Sequence, residues 1–249
     1  MVLASGAEKG GTVLEIGPGA GVLTDALLMA GADVVAVEKD DRLIPVLEEK
    51  YKKEISSGQL KLIHGDILEE SFEIKNYRIV ANIPYYITGQ VIRKFLEAKN
   101  QPESMTLLVQ KEVAERIVAK NGKESLLSLS IKAYGQPKYV AIVGRSSFSP
   151  APKVDSAIIH ISDISRKNFN TANAPKKLEQ KFFALIHAGF AHKRKQLLPN
   201  LSALYLKEKL ISAFERCKIE PKSRAEDIPV EKWFELCDIM SSTCPAEKF

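Results

Sequence analysis

The chain has few of the residues that build metal centres or disulfide scaffolds. Its three cysteines, Cys217, Cys237 and Cys244, are an odd number at spacings that match no zinc site, which excludes a disulfide framework. The four histidines (His64, His160, His187 and His192) are scattered, and His64 and His160 sit in strand-like surroundings where a structural role is expected. No metal site is expected. No apolar run approaches the twenty residues of a membrane span, and no secretory leader pattern is present. The expectation is a soluble, cytoplasmic protein in a reducing compartment. Repeats and low-complexity tracts are also missing. The net charge of +5 is mild for a nucleic-acid binder, so any such role has to rest on local clusters.

A strand, glycine turn and helix are legible near the start. Thr12-Val13-Leu14-Glu15-Ile16 is a short apolar run that leads into Gly17-Pro18-Gly19-Ala20-Gly21, and residues 22–30 follow with helical spacing. Gly17, Gly19 and Gly21 allow the backbone to pass close to a ligand. An acid inside the strand end, Glu15, is unusual beside a pyrophosphate and suits a cationic, phosphate-free ligand such as S-adenosylmethionine. A second strand, residues 33–37, ends at Glu38, placed to take both hydroxyls of an adenosine ribose, with Lys39 beside it. A third, residues 60–64, leads to Gly65-Asp66-Ile67, where Asp66 can accept from an adenine amino group and Ile67 lies against the ring. Three strands ending in polar or glycine features on one side place a ligand at the carboxyl edge of a parallel sheet.

The fourth strand, Ile79-Val80-Ala81, ends in Asn82-Ile83-Pro84-Tyr85. The Asn82 side-chain carbonyl and the backbone carbonyl before or at Pro84 can both accept from one exocyclic –NH2. Two acceptors draw the nitrogen lone pair out of conjugation and aim it at an incoming methyl group. Pro84 fixes φ, and Tyr85 offers a face for a flipped base.

The chain resembles the small-subunit ribosomal RNA adenine N6,N6-dimethyltransferases. The resemblance rests on Glu15-Ile16-Gly17-Pro18-Gly19, Val37-Glu38-Lys39-Asp40, Gly65-Asp66, Asn82-Ile83-Pro84-Tyr85-Tyr86-Ile87-Thr88 and Gln110-Lys111-Glu112-Val113-Ala114. It continues through Phe148-Ser149-Pro150-Ala151-Pro152-Lys153-Val154-Asp155-Ser156 and Phe190-Ala191-His192-Lys193-Arg194-Lys195 with Asn200-Leu201. It implies that Glu38 holds the cofactor ribose and Asp66 its adenine. It also implies that Asn82 and Pro84 bind the target amine and that Tyr85 and Phe148 sandwich the base. The implied substrate is a pair of adjacent adenosines in a 3′-terminal hairpin loop of small-subunit rRNA, within an immature 30S subunit. The family's N-terminal Gly-Gln-x-Phe-type segment has no counterpart in residues 1–10, so the expectation is either that this sequence is a shortened form or that the cofactor lid is absent. Macrolide-resistance 23S rRNA methyltransferases share the tetrapeptide and are the nearest alternative. A DNA adenine methyltransferase would need a target-recognition insertion, and none is evident. A non-catalytic ribosome assembly factor retaining the fold is the alternative from another class.

The expected architecture is α/β: a Rossmann-like methyltransferase domain over residues 1–163, with a parallel sheet and helices on both faces. A polar linker over 164–175 and a small all-helical, RNA-contacting domain over 176–249 complete it. Helical periodicity marks residues 40–53, 89–99, 176–187, 202–216 and 230–241, and residues 104–110 read as a further buried strand. His192, Lys193, Arg194 and Lys195 form the basic cluster best suited to phosphate contact, and Lys153 is a second candidate beside Phe148. A monomer is expected.

Overall fold

A run of apolar residues with no polar alternation needs cover on both faces, and the central strands of the computed structural model have it. Residues 1–148, 150–170 and 175–242 are described. In chain order they form α1 (Val2–Ser5), β1 (Thr12–Ile16), α2 (Val22–Met29), β2 (Asp33–Glu38), α3 (Ile44–Lys50), α4 (Lys52–Ser57), β3 (Leu60–His64) and β4 (Tyr77–Asn82). Next come α5 (Thr88–Glu97), β5 (Ser104–Gln110), α6 (Lys111–Val118), α7 (Leu126–Lys132), β6 (Gln136–Val143) and β7 (Ser156–Ser162). The chain closes with α8 (Pro175–Gly189), α9 (Leu197–Leu201), α10 (Lys207–Arg216) and α11 (Val230–Ser242).

The seven strands lie in the order β3-β2-β1-β4-β5-β7-β6. β3, β2, β1, β4 and β5 are parallel, whereas β7 runs antiparallel to both β5 and β6. The expected parallel sheet is therefore corrected at its last two strands. Residues 144–155 join β6 to β7 without an α-helix, and a connection of that kind makes a hairpin, which is antiparallel. β6 is the exposed edge, interrupted by a register shift between Tyr139 and Ala141.

Strand order reverses between β1 and β4, the two strands that pair Ile16 with Ala81. Gly17 and Asn82, the next residues, thus stand side by side at the carboxyl edge, where open α/β sheets bind ligands. Val13, Leu27, Val34, Leu47, Leu60 and Val80 pack together around β1 and β2. Each such fully buried side chain contributes about 1.5–3 kcal/mol.

The chain divides into two compact units, Met1–Glu115 with Gly135–Ser165, and Arg116–Tyr134 with the chain from Arg166 onward. This corrects the expected boundary, because a segment from the middle of the sequence belongs to the helical unit. Tyr134 packs on Phe169 and Phe183 at ring-centroid distances of 5.4 and 5.8 Å, and Phe182 stacks on Phe234 at 4.4 Å. The Glu124 N–H donates to the Glu226 carbonyl at 2.8 Å, and Lys123 pairs with Asp227. The expected linker is also corrected over its first half. Phe169 is fully buried, and the Asn168 amide donates to the Ala133 carbonyl at 2.9 Å, so this stretch is part of the core. One phenylalanine outweighs the polar composition around it. Residues 171–174 lie outside the described residues.

Candidate functional site

Glu15 is an acid inside the central apolar strand and has no exposed surface. Its Oε2 accepts from the Thr24 hydroxyl at 2.7 Å, while Oε1 has no hydrogen-bond partner. Burial pushes its pKa up from 4.5 to about 7; the Thr24 bond opposes that, and Asp25 and Glu38 add to it. A buried carboxyl with an unsatisfied oxygen lacks a donor or a cation.

Gly17 and Gly19 take positive φ values of 66° and 58°, and a Cβ on either would meet nothing within 4 Å. Their open face is room for a ligand. Gly21 is different: an ideal Cβ there would lie 2.1 Å from the Tyr51 hydroxyl, which itself donates to the Gly21 carbonyl at 2.7 Å. The Cα face of Gly21 is therefore packed on Tyr51.

Glu38 ends β2 with its carboxylate fixed from three sides. Oε2 accepts from the Gly19 N–H at 3.1 Å, and Oε1 from the N–H groups of Lys39 and Asp40, both at 2.9 Å. The Gly17 N–H donates to the Val37 carbonyl and the Gly65 N–H to the Glu38 carbonyl, each at 2.9 Å, so three strand ends are tied together. Asp66 accepts from the Leu68 N–H at 2.9 Å and from the Lys39 ammonium at 2.7 Å. These bonds hold its pKa below the usual carboxylate range, the Lys39 bond first. Lys39 is placed to orient Asp66, and the Ile67 side chain is buried.

The carboxylates of Glu38 and Asp66 along one edge repel a pyrophosphate. With the open glycine face and the orphaned Glu15 oxygen, they suit a phosphate-free nucleoside with a cationic tail. The donor set fits S-adenosylmethionine.

Asn82, at the end of β4, is exposed and level with Leu108 of β5. Pro84 is also exposed, with φ −53° and ψ 130°, and its carbonyl accepts from the Ile87 N–H at 3.1 Å. Tyr85 is half-buried and its hydroxyl lies 2.8 Å from Ser156 Oγ on β7, a bond in which either oxygen can donate. No local sequence signal marks that partner, although Ser156 closes the Phe148 motif. Phe148 is half-buried just beyond a 3-10 turn over Arg145–Ser147, and Ser149 lies outside the described residues.

Lys153 is exposed and lines a cleft within the first unit. His192, Lys193, Arg194 and Lys195 are all exposed in the helical unit, on a turn held by the buried Asn200 amide. That amide donates to the Gly189 carbonyl at 2.6 Å and the His192 carbonyl at 3.3 Å. Cys217 and Cys237 are buried free thiols, and Cys244 lies outside the described residues. Among the described residues no group of His, Cys, Asp and Glu could hold a metal ion, and no helix is long and apolar enough to cross a membrane.

Residues 3–242 match the model of a family described as ribosomal RNA adenine dimethylase. A curated relative from Dehalococcoides mccartyi, named ribosomal RNA small subunit methyltransferase A, is 46% identical over 233 residues, which is 91% of this chain and 77% of that protein. Its namesake from Fusobacterium nucleatum is 36% identical over 246 residues, covering 96% of this chain and 90% of that one. Among solved structures, a dimethyladenosine transferase from Plasmodium falciparum aligns with a TM-score of 0.79 and 25% identity, over 94% of this chain and 91% of its own. The 23S rRNA methyltransferase ErmE aligns at 0.78 over 96% and 95%, with 24% identity, a likeness of fold.

Proposed function

Because the chain belongs to the ribosomal RNA adenine dimethylase family, we propose that it transfers methyl groups from S-adenosylmethionine to N6 of two adjacent adenosines in the 3′-terminal hairpin loop of small-subunit rRNA. The observation that carries this reading is the placement of Asn82, Pro84 and Tyr85 beside Gly17 at the point where strand order reverses. The small-subunit relatives cover most of the chain at 36–46% identity, whereas ErmE shares the fold at 24%. That contrast favours small-subunit over large-subunit rRNA.

When bound, the cofactor supplies an electrophilic methyl group on a sulfonium. The chain's own residues hold and aim what reacts. Glu38 takes the ribose hydroxyls, Asp66 accepts from the cofactor adenine, and Gly17 and Gly19 leave space for the nucleoside. Glu15, ionised, meets the cationic tail. The Asn82 side-chain carbonyl and one backbone carbonyl accept the two hydrogens of the target amine. That backbone carbonyl is Ile83's or Pro84's, and Pro84's already accepts one bond, from the Ile87 N–H. Tyr85, fixed through Ser156, and Phe148 provide the faces between which the base stacks. Positioning supplies most of the acceleration, and the amine releases its proton to water after attack.

Lys153 and the turn at 192–195 contact RNA phosphates. A hairpin loop suits the site because an unpaired adenine is cheaply extruded. The protein works as a monomer in the cytoplasm, on immature 30S subunits. The test is labelled methyl transfer to small subunits lacking the loop dimethylation, run beside naked large-subunit rRNA. Dimethyladenosine in the small subunit alone is the expected result. Label in the large-subunit RNA overturns the choice of substrate, and cofactor binding with no transfer to either overturns the enzyme.

A further inference from the structure

Past the target tetrapeptide the carboxyl edge opens into a cleft of about 550 Å³. Lys111, Arg145 and Lys153 line it, with Glu112, Glu115 and Asp155 between them. Asp155 organises these segments. Its carbonyl accepts from the Lys111 N–H and its Oδ1 from the Arg145 N–H, both at 3.0 Å. One residue thereby ties the start of α6 and the loop after β6 to the start of β7. The next residue, Ser156, holds the Tyr85 hydroxyl, so the cleft begins one residue from the anchor of the stacking ring.

Three bases and three acids line the cleft, so its match to a ligand rests on which of them are already engaged and not on net charge. Among the described residues none of Lys111, Arg145 and Lys153 is in an ion pair. Asp155 is already engaged by Arg145's backbone. Glu112 makes a bare anion a poor match but can accept from a hydroxyl. Phosphodiester oxygens and a ribose 2′-hydroxyl on one ligand satisfy both kinds of group. Distance agrees as well: Gln110, just before Lys111, lies two residues beyond Leu108, the partner of Asn82. Strand spacing and rise put it about 8 Å from Asn82, within reach of the neighbouring nucleotide.

We propose that this cleft grips the ribose–phosphate link between the adenosine in the target position and its neighbour. The proposal rests on the rRNA adenosine reading above. Gripping the link and not the base lets either of two adjacent adenosines enter the target position after a one-link shift. It therefore gives consecutive modification a physical basis in Lys111, Arg145 and Lys153.

The test compares two hairpin RNAs that differ only in a methylphosphonate, an uncharged link, between the two target adenosines. Binding is measured against salt for the full chain and for the double variant R145A/K153A, whose substituted residues are both exposed. For the unaltered protein, neutralising the link should flatten the slope of log K against log salt by about 0.7. R145A/K153A should bind the ordinary hairpin with that lower slope already and lose nothing further on the methylphosphonate. R145K/K153R should regain the sensitivity, since a phosphate needs the positive charge. Equal losses on the methylphosphonate with and without Arg145 and Lys153, or no loss in the unaltered protein, overturn the proposal. Transfer to small subunits reads the function separately. Link-dependent binding without transfer sinks the function and supports the cleft, and transfer with link-independent binding sinks the cleft alone.

Discussion

The two halves of the carboxyl edge are built in opposite ways. On the β1–β2–β3 side most polar groups are already paired: one oxygen of Glu15 with Thr24, Glu38 with three backbone N–H groups, Asp66 with Lys39 and Leu68, and only Glu15 Oε1 is left open. On the β4 side Asn82 and Pro84 are exposed, and Tyr85 is tethered through its hydroxyl to Ser156. A preformed pocket pays its ordering cost during folding, so it binds a small cofactor without rearranging. The open side is completed by the substrate, because the donors that Asn82 and a backbone carbonyl lack are those of the target amine. Changes on the first side should therefore register in cofactor affinity and stability, and changes on the second in turnover.

The most severe test of this contrast is Asn82→Ala. Loss of one of two acceptors aimed at the reacting amine should lower kcat by about 10²–10³, with cofactor affinity nearly unchanged by calorimetry. Equal losses in both would erase the distinction between the halves.

Glu15 sharpens the contrast from the other side. Its folded pKa is raised, so below pH 4.5 both folded and unfolded chains hold the proton and the contribution of Glu15 to stability is fully present. Between pH 4.5 and about 7 the folded chain keeps a proton that the unfolded one has lost, and stability falls as pH rises. The loss totals about 3 kcal/mol and levels off above pH 7. Thermal unfolding of the unaltered protein should show this decline, and Glu15→Gln should flatten it. A cation close to the carboxylate lowers its pKa, so saturating S-adenosylmethionine should also flatten the decline while an uncharged nucleoside does not. An identical pH profile in Glu15→Gln would remove Glu15 from the account.

The glycine turn divides along the same line, with effects of about 1–2 kcal/mol from left-handed backbone strain in each variant. Gly19→Ala puts a methyl on the open face, so its cofactor affinity should fall beyond what the strain explains. Gly21→Ala drives a methyl into the Tyr51 hydroxyl, so it should lose more stability than Gly19→Ala and less affinity. Dissociation constants and melting temperatures for the two variants settle the order.

What the sequence discloses follows from where each interaction lies along the chain. Glu15, Gly17, Gly19, Glu38, Asp66 and the Asn82–Tyr85 segment sit at strand ends, and their chemistry needs particular residue types at short spacing, so they are readable. Strand direction is not: the apolar runs of β5 and β7 look alike, and only the connection between β6 and β7 shows that β7 runs backwards. The allegiance of Tyr134 to Phe169 and Phe183 joins residues far apart in sequence and leaves no local signal. Lys111 starts α6 whereas Arg145 and Lys153 sit in the β6–β7 connection, and Asp155 holds the two segments together. The packing of Gly21 on Tyr51 is hidden for a related reason, since Tyr51 lies thirty residues away in the chain.

The smallest expected effect tests how far the open side is itself prepared. Tyr85→Phe keeps the ring and removes the oxygen bonded to Ser156, a bond worth about 0.5–1.5 kcal/mol, so turnover should fall by less than about tenfold with little change in cofactor affinity. Ser156→Ala should have the same effect, because it frees the same ring. If the hydroxyl serves only to hold the ring against β7, the double variant should be no worse than either single one, since the shared bond can be lost only once. Additive losses would mean that the Tyr85 hydroxyl touches the RNA directly and that Ser156 acts elsewhere. The open half would then have no prepared element, and the contrast between the halves would be sharper than the Tyr85–Ser156 bond makes it.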